Sequence, residues 1–396
     1  MTFARGVNLM RVSSLAACRN RIVMAIVVSL AVFQTRLATA ETLNPATVAQ
    51  IDAAADRYVS SGSAPGVSVA VMRKGQVVFT KGYGFENIET MTPVTADSLF
   101  RAGSITKEFV AAGIMRLTEE GKLSVDDSVS KYIPELAAAG PMTLRMLLIQ
   151  TSGLHDYTHS RAFGEEARKR RTTKQMIDFI AAMKPLTDFA AGSKWAYSNS
   201  NYYVLGAIIE RVSGTAVGQY LETHVIAPAG ATSTVFDREE DVVLNRASGY
   251  VPIEGKPGHY KNAEFFSMDT AGGAGALRST AVDLARWQQA LFAGRIVNSK
   301  SFAAMTTPGR LTDGTVFVRP EAPISLGPPN YGFGLELGTL DGEQAIGHGG
   351  SVPGFTSYLV TFPKLQTTVA IMTNAAPHGA DVYHDIERAV LHGGRN

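Results

Sequence analysis

The chain has 396 residues, of which 45% are hydrophobic and 18% are charged, a composition that excludes disorder over most of its length and suits one large domain or two intimate ones. Its 37 basic and 35 acidic residues nearly balance, and because they form no basic stripe, nucleic-acid binding has no support. A single cysteine, Cys18, excludes an internal disulfide.

The first 40 residues differ from the rest and predict a secretory signal peptide. They hold five arginines and no acid, and an apolar run, IVMAIVVSLAVF, occupies 22–33. Ala38 and Ala40 are the small residues at which a signal peptidase would cut, before Glu41. We therefore expect a periplasmic or secreted mature chain with 32 basic and 35 acidic residues and no cysteine.

Two alternatives to a cleaved signal are open. An uncleaved membrane anchor is one, but a 12-residue run is short for a bilayer that needs about 20 apolar residues. A lipoprotein site at Cys18 is the other, although the apolar run follows this cysteine instead of preceding it. With the signal removed, we expect no stable membrane span.

The mature chain begins with patterns of a helix and a hairpin. Apolar residues at 45–58 recur with helical spacing, and APGVSVAVMRKGQVVFTKGYG then alternates as two strands around a turn at Lys74 and Gly75. From 105 to about 290 the signals are mostly helical, including KEFVAAGIMRLTEEGKL, TLRMLLIQ and NYYVLGAIIERVSG. Gly121 and Gly214 are the expected stops of the first and last of these helices.

A glycine-rich stretch, AGGAGAL, occupies residues 271–277 and includes Gly272. It lacks the spacing of a dinucleotide fingerprint and no strand precedes it, so we interpret it as structural. The following helix would be capped by Ser279 or Thr280, with Asp283 available for a capping box.

Strand patterns return near the C-terminus at YGFGLEL, QAIGHGG, FTSYLVTFP and TTVAIMTN, before a final helix at about 380–391. Strands at both ends of a helical middle predict an α+β fold with one sheet built from both termini and an inserted helical domain. We expect the α/β part at about 41–104 and 290–396, the helical part at about 105–289, and a long loop at 309–330.

The candidate nucleophile is Ser104. Lys107 follows it by three residues, which on a helix places the amine on the same face, one turn away. The pattern alone is weak, because Ser128 and Lys131 repeat it. A serine hydroxyl also needs a positioned base and donors for the developing oxyanion, so the partners must decide.

Two further motifs supply those partners. Tyr197 and Asn199 form Y-x-N, and His348, Gly349 and Gly350 form H-G-G. In this order the three motifs resemble those of the serine β-lactamase and penicillin-binding protein superfamily, in the branch of class C β-lactamases, D-alanyl-D-alanine carboxypeptidases and related esterases. The separations of 93 and 151 residues suit that branch, and GALRSTAVDLARW and LLIQTSGL are also typical of it.

The resemblance implies a β-lactamase/transpeptidase-like fold with an antiparallel sheet, and an acyl-serine mechanism. Ser104 would attack a carbonyl, and Lys107 would share the role of base with Tyr197, whose phenol would relay a proton to the leaving group. A phenol with a pKa of about 10 needs nearby cations for that role. Lys107 and a protonated His348 are the candidates.

The remaining site residues are implied in the same way. Asn199 would hold the lysine and a substrate carbonyl, and the backbone N–H groups of Ser104 and Ser351 would form the oxyanion hole. Gly349 and Gly350 would let the strand edge approach the substrate. No cofactor is expected, and the substrate would be a small ester, an amide or a cell-wall peptide.

Two residues depart from the pattern of the superfamily. Gly349 replaces a threonine that would help to bind a substrate carboxylate, which disfavours penicillins and peptides ending in free D-alanine and favours esters or other amides. Gln150 stands where histidine is expected, and the sequence suggests no consequence.

Other functional interpretations have weaker support. His155 and His159 have a spacing that could hold zinc, but the H-E-x-x-H glutamate is missing and TSGLHDYT predicts a loop, so we expect no metal site. The alternatives to an esterase or carboxypeptidase-like enzyme are a class C-like β-lactamase and a catalytically retired module that binds cell-wall peptides. Loss of Ser104, Lys107 or Tyr197 would mark the latter, and all three are present.

Overall fold

The computed structural model describes residues 42–319, 327–376 and 381–393. The predicted signal peptide and part of the predicted 309–330 loop lie outside these ranges. Within them, every helix is too short or too polar to cross a bilayer.

The helices of the described ranges have the following bounds: α1 (Pro45–Ser60), α2 (Thr106–Glu119), α3 (Val129–Tyr132), α4 (Leu144–Leu148), α5 (Phe163–Glu166), α6 (Thr173–Ala181), α7 (Asn199–Ser213), α8 (Val217–Leu221), α9 (Ala227–Ala229), α10 (Met268–Ala271), α11 (Ala281–Phe292), α12 (Ser299–Met305) and α13 (Asp381–Gly393). Short 3₁₀ turns lie at Gly103–Ile105, Pro134–Ala139, Tyr157–His159, Gly272–Ala274 and Pro363–Leu365, and a π-helical turn lies at Glu222–Ile226.

The strands are β1 (Gly66–Arg73), β2 (Gln76–Asn87), β3 (Thr92–Pro93), β4 (Phe100–Arg101), β5 (Val235–Phe236), β6 (Tyr250–Pro252), β7 (Tyr260–Asn262), β8 (Leu277–Ser279), β9 (Gly327–Tyr331), β10 (Glu336–Leu340), β11 (Glu343–Val352), β12 (Phe355–Phe362) and β13 (Thr367–Thr373).

The main sheet joins the two ends of the described chain. Its order is β3-β2-β1-β13-β12-β11-β10-β9, and each of its neighbouring pairs is antiparallel. The first hairpin turns at Lys74 and Gly75, whose φ angles of 49° and 79° are those of a tight turn between twisted strands. The predicted fold, an antiparallel sheet from both termini with helices inserted, is confirmed.

Two hydrophobic cores lie on opposite faces of this sheet. Along β1 the residues alternate between them: Val67, Val69 and Val71 belong to the core shared with α1 and α13, while Ala70 and Met72 belong to the core of the inserted helices. Because both faces are covered, this central strand is apolar almost throughout. The helical layer carries α2 and α7, which hold the candidate site.

The predicted C-terminal strands differ from the structure at one point. The segment YGFGLEL is divided, because β9 ends at Tyr331 and β10 begins at Glu336, with a turn through Gly334 at φ 70°. All of β9 except Tyr331 lies inside the predicted loop. β9 contains two consecutive prolines and is an edge strand of the sheet, a position where proline is tolerated, and its pairing with β10 has a register shift.

The helix after the glycine stretch begins as expected, with one difference. Thr280 caps α11 by accepting a hydrogen bond from the Asp283 backbone N–H at 3.1 Å. The Asp283 carboxylate does not complete a capping box. It accepts instead from the Ser233 backbone N–H at 2.6 Å and so ties the helix start to a distant loop.

Candidate active site

Ser104 lies in the 3₁₀ turn that leads into α2, and this turn packs against β11 of the main sheet. Gly103 before it has a φ of 54°, a left-handed conformation that favours glycine. A Cβ atom at Gly103 would lie 2.7 Å from the Ser351 backbone N, and one at Gly350 would lie 3.0 Å from the Ser104 backbone N. Glycine at both positions therefore lets the turn touch β11, and brings together the two N–H groups predicted to form an oxyanion hole.

Lys107 is fully buried one turn after Ser104. Its amine contacts three uncharged oxygen atoms: Ser104 Oγ at 3.0 Å, Asn199 Oδ1 at 2.9 Å and the Ala274 backbone O at 2.7 Å. Burial lowers the pKa of Lys107 to about 7, although the negative charge of Asp156 acts in the opposite direction.

The two carbonyl oxygens around this amine can only accept hydrogen bonds. When Lys107 is neutral, its two N–H groups can donate to Asn199 Oδ1 and to the Ala274 oxygen, which leaves the lone pair to face Ser104 Oγ. A neutral Lys107 can therefore accept the proton of Ser104. The sequence offered no sign of the Ala274 carbonyl, which comes from the glycine stretch interpreted as structural.

The centroid of the Tyr197 ring lies 4.8 Å from Lys107 Nζ, and the Ser104 side chain acts to lower the pKa of Tyr197. Burial raises the pKa of Tyr197 well above its ordinary value. It also lowers the pKa of His348 to about 3, so His348 is neutral at pH 7. Of the two candidate cations for lowering the pKa of Tyr197, His348 is therefore disfavoured, because it would have to be protonated. Tyr197 is a neutral phenol here, able to donate a proton.

His348 lies on β11 with 2% of its surface exposed, and its Nε2 is 2.9 Å from the Tyr331 hydroxyl. Arg319 is a cation whose charge does act to lower the pKa of Tyr197. Arg319 is itself held by Glu336 at 2.6 Å in a buried ion pair, and the Glu336 charge acts against it. No pattern in the sequence indicated this pair, because Arg319 lies within the stretch predicted as a loop.

Asp156 fixes the orientation of Asn199. Its Oδ2 accepts from both the backbone N and the side-chain Nδ2 of Asn199, each at 3.1 Å. With Nδ2 held there, the Asn199 Oδ1 faces Lys107. Asp156 is 4% exposed and stands beside His155, the histidine that drew attention in the sequence, so this carboxylate was missed.

Gln150 has a structural role next to the same motif. It is fully buried with a φ of 65°, and its Oε1 accepts from the Ser198 backbone N–H at 3.0 Å and from Asn201 Nδ2 at 2.6 Å. These bonds anchor the chain between Tyr197 and Asn199 at the start of α7.

The other candidate positions lie apart from this cluster. His155 Nδ1 contacts Asp188 Oδ1 at 2.7 Å, and the described residues contain no group of three or more His, Cys, Asp or Glu that could hold a metal ion. Lys131 pairs with Asp127 at 3.0 Å on the exposed surface. Ser128 bonds there to another serine. Of the two S-x-x-K patterns, only the one at Ser104 meets the Y-x-N and H-G-G motifs.

Comparison with known proteins agrees with this geometry. The family model described as Beta-lactamase matches residues 51–393. Penicillin-binding protein 4* of Bacillus subtilis is 26% identical over 78% of this chain and 67% of its own length. The octameric penicillin-binding protein homologue of Pyrococcus abyssi has a TM-score of 0.76 at 28% identity, over 88% of this chain and 78% of that one.

A D-stereospecific amidohydrolase from a Streptomyces species has a TM-score of 0.72 at 27% identity, over 86% of this chain and 97% of that one. The matching family model covers more than four fifths of the sequence, including all three motifs. The chain belongs to the beta-lactamase family of serine β-lactamases, penicillin-binding proteins and related hydrolases.

Proposed function

We propose that this protein is an exported serine hydrolase that cleaves an ester or amide through an acyl intermediate on Ser104. The observation that carries the proposal is the 3.0 Å contact between Lys107 Nζ and Ser104 Oγ. The amine is buried, its other two partners are carbonyl oxygens, and the pKa of Lys107 is about 7. These are the conditions in which a lysine serves as a general base near neutral pH. The signal-like pattern of residues 1–40 supports export to the periplasm or the medium.

In the proposed reaction, neutral Lys107 takes the proton of Ser104 as the hydroxyl attacks the substrate carbonyl. The backbone N–H groups of Ser104 and Ser351 stabilise the oxyanion. As the tetrahedral intermediate collapses, Tyr197 donates its proton to the leaving group, and the proton held by Lys107 restores the phenol. Water then attacks the acyl-serine with the same groups and releases the acid.

The substrate proposed is an ester or amide without a carboxylate beside the scissile bond. Gly349 supports this preference because it has no hydroxyl to donate to such a carboxylate. Similarity to a D-stereospecific amidohydrolase supports amides of D-amino acids as a substrate class to test. Similarity to a penicillin-binding protein makes a β-lactam the natural comparison.

The test measures hydrolysis of 4-nitrophenyl butyrate, D-phenylalanine amide and benzylpenicillin by residues 41–396. Ser104→Ala is compared with Ser128→Ala, a matched control in the surface copy of the S-x-x-K pattern. We expect the ester or the amide to be hydrolysed, the rate to fall at least 1000-fold in Ser104→Ala, and the control to equal the wild type. Equal rates in folded Ser104→Ala and wild type would exclude the proposal. Faster turnover of penicillin than of either other substrate would favour a β-lactamase.

A further inference from the structure

The cavity that contains Ser104 has an apolar wall. Its volume is about 390 Å³, and Ser104 and Asn199 line it together with side chains that expose aromatic rings or aliphatic groups. They include Tyr157, Phe163, Ala167, Phe265 and Phe266.

Two polar side chains of this wall, Tyr157 and Thr158, are already bonded within the protein. The Tyr157 hydroxyl donates to the Thr270 backbone O at 2.8 Å, so the cavity meets the ring and not the hydroxyl. Thr158 Oγ1 donates to Asp156 at 2.8 Å. A charged or strongly polar substrate group placed here would lose its water without gaining a partner from these residues, which is unfavourable.

The charged residues of the cavity lie at its rim. Arg168 and Glu264 form an ion pair whose side chains are 59% and 72% exposed. The pair links the loop after α5 to the loop after β7. Both charges are neutralised by each other and by solvent, so neither provides a buried site for an ionic group.

The aromatic residues are arranged to accept another ring. The centroids of Tyr157 and Phe163 are 5.7 Å apart with planes inclined at 60°, and those of Phe163 and Phe266 are 6.2 Å apart at 61°. Inclined rings at such distances present edges and faces to a shared space, and an aromatic guest gains from both.

The residues that line the cavity indicate which part of the substrate it holds. Ser104 lines the cavity, whereas Tyr197, which protonates the leaving group in the proposed reaction, is not one of the residues that surround it in the described structure. The group held here is therefore the acyl part of the substrate.

We propose that this cavity is a subsite for a compact, uncharged aromatic acyl group, such as an arylacetyl or an aromatic amino-acyl group. The inference rests on the proposed function, since it assumes that Ser104 is acylated. Beyond that function, the cavity would make the acyl side of the scissile bond the side that determines specificity, and it would select an aromatic, uncharged group there.

The test uses three esters with one leaving group: 4-nitrophenyl phenylacetate, 4-nitrophenyl acetate and mono-4-nitrophenyl succinate. Each kcat/KM is divided by the rate constant for hydroxide-catalysed hydrolysis of the same ester, which removes differences in intrinsic reactivity. We expect the corrected kcat/KM for the phenylacetate ester to be at least tenfold higher than that for the acetate ester. It should be at least 100-fold higher than that for the succinate ester. Equal values in a Ser104-dependent reaction would overturn the inference and leave the proposed function intact.

Two variants locate the preference. Ala167→Leu reduces the cavity and Phe163→Ala removes a ring from its wall, so each should lower the phenylacetate-to-acetate ratio at least fivefold. Ala138→Leu, an exposed alanine outside the cavity, is the matched control and should keep the wild-type ratio. An unchanged ratio in both cavity variants would overturn the inference. Hydrolysis of all three esters that persists in Ser104→Ala would overturn the proposed function, and the inference with it.

Discussion

Replacing Asp156 by asparagine tests how the site is oriented. Asp156 Oδ2 accepts two hydrogen bonds from Asn199, and Oδ1 accepts two from Thr158, at 2.9 and 2.8 Å. Asparagine has the same shape, but its NH₂ group would face donors on either side. In one orientation Asn199 loses its acceptor, and in the other Thr158 does.

The magnitude follows from the bonds that orient Asn199. A hydrogen bond to a charged acceptor contributes about 1.5–3 kcal/mol, and losing the one that aims Asn199 Oδ1 at Lys107 should lower kcat/KM by roughly 10- to 150-fold. The negative charge of Asp156 also raises the pKa of Lys107, so its removal should lower that pKa below its present value of about 7. The base must be neutral to act, and the rising limb of the pH profile should therefore move to lower pH.

The assay is kcat/KM for a neutral 4-nitrophenyl ester between pH 5 and 9. Asp188→Asn is the matched control, because Asp188 contacts His155 on the same loop and does not touch Asn199 in any described contact. The control should retain wild-type kinetics. Activity of Asp156→Asn within twofold of the wild type, or a rising limb displaced to higher pH, would refute this account of the base.

Three further changes test buried groups around the site by urea unfolding. The pKa of Lys107 is about 7 in the folded protein and 10.5 ordinarily, so folding releases a proton at pH values between these two. As the pH rises through this range, the unfolding free energy of the wild type should therefore increase by about 1.4 kcal/mol per pH unit relative to that of Lys107→Met. Parallel pH dependences of the two proteins would contradict this. Burial raises the pKa of Glu108 to about 8, so folding takes up a proton between pH 5 and 8. As the pH rises through this range, the unfolding free energy of the wild type should decrease by up to about 1.4 kcal/mol per pH unit relative to that of Glu108→Gln. An increase would contradict this. Gln150→Leu leaves two buried donors without an acceptor and should reduce the unfolding free energy by about 2–4 kcal/mol, so a variant as stable as the wild type would remove the anchoring role assigned to Gln150.

Local signals in the sequence were sufficient for much of the fold. The turn at Lys74 and Gly75 and the helix stop at Gly214 depend on backbone preferences that are readable from a few residues. The sheet built from both termini followed from the order of strands and helices. β9 was missed because its prolines are tolerated only at an edge, and edge position is a property of the whole sheet.

The motif residues of the candidate site could be predicted from the sequence, but the residues that support them could not. The motifs carrying Ser104, Lys107 and Tyr197 meet in the structure as their resemblance implied. Asp156 and Arg319 could not be found in the same way, because each acts through a contact between segments that are distant in sequence. The charge of His348 could not be predicted for a related reason: it depends on burial, which no residue pattern around His348 shows.

The central claim is that Ser104 becomes acylated. The direct measurement is the intact mass of residues 41–396 within seconds of mixing with 4-nitrophenyl phenylacetate, followed by peptide mapping. The account predicts a transient adduct of one phenylacetyl group on the peptide that contains Ser104, present in Ser128→Ala and absent from Ser104→Ala. Turnover of the ester with an adduct on another residue, or an adduct that persists in Ser104→Ala, would contradict it.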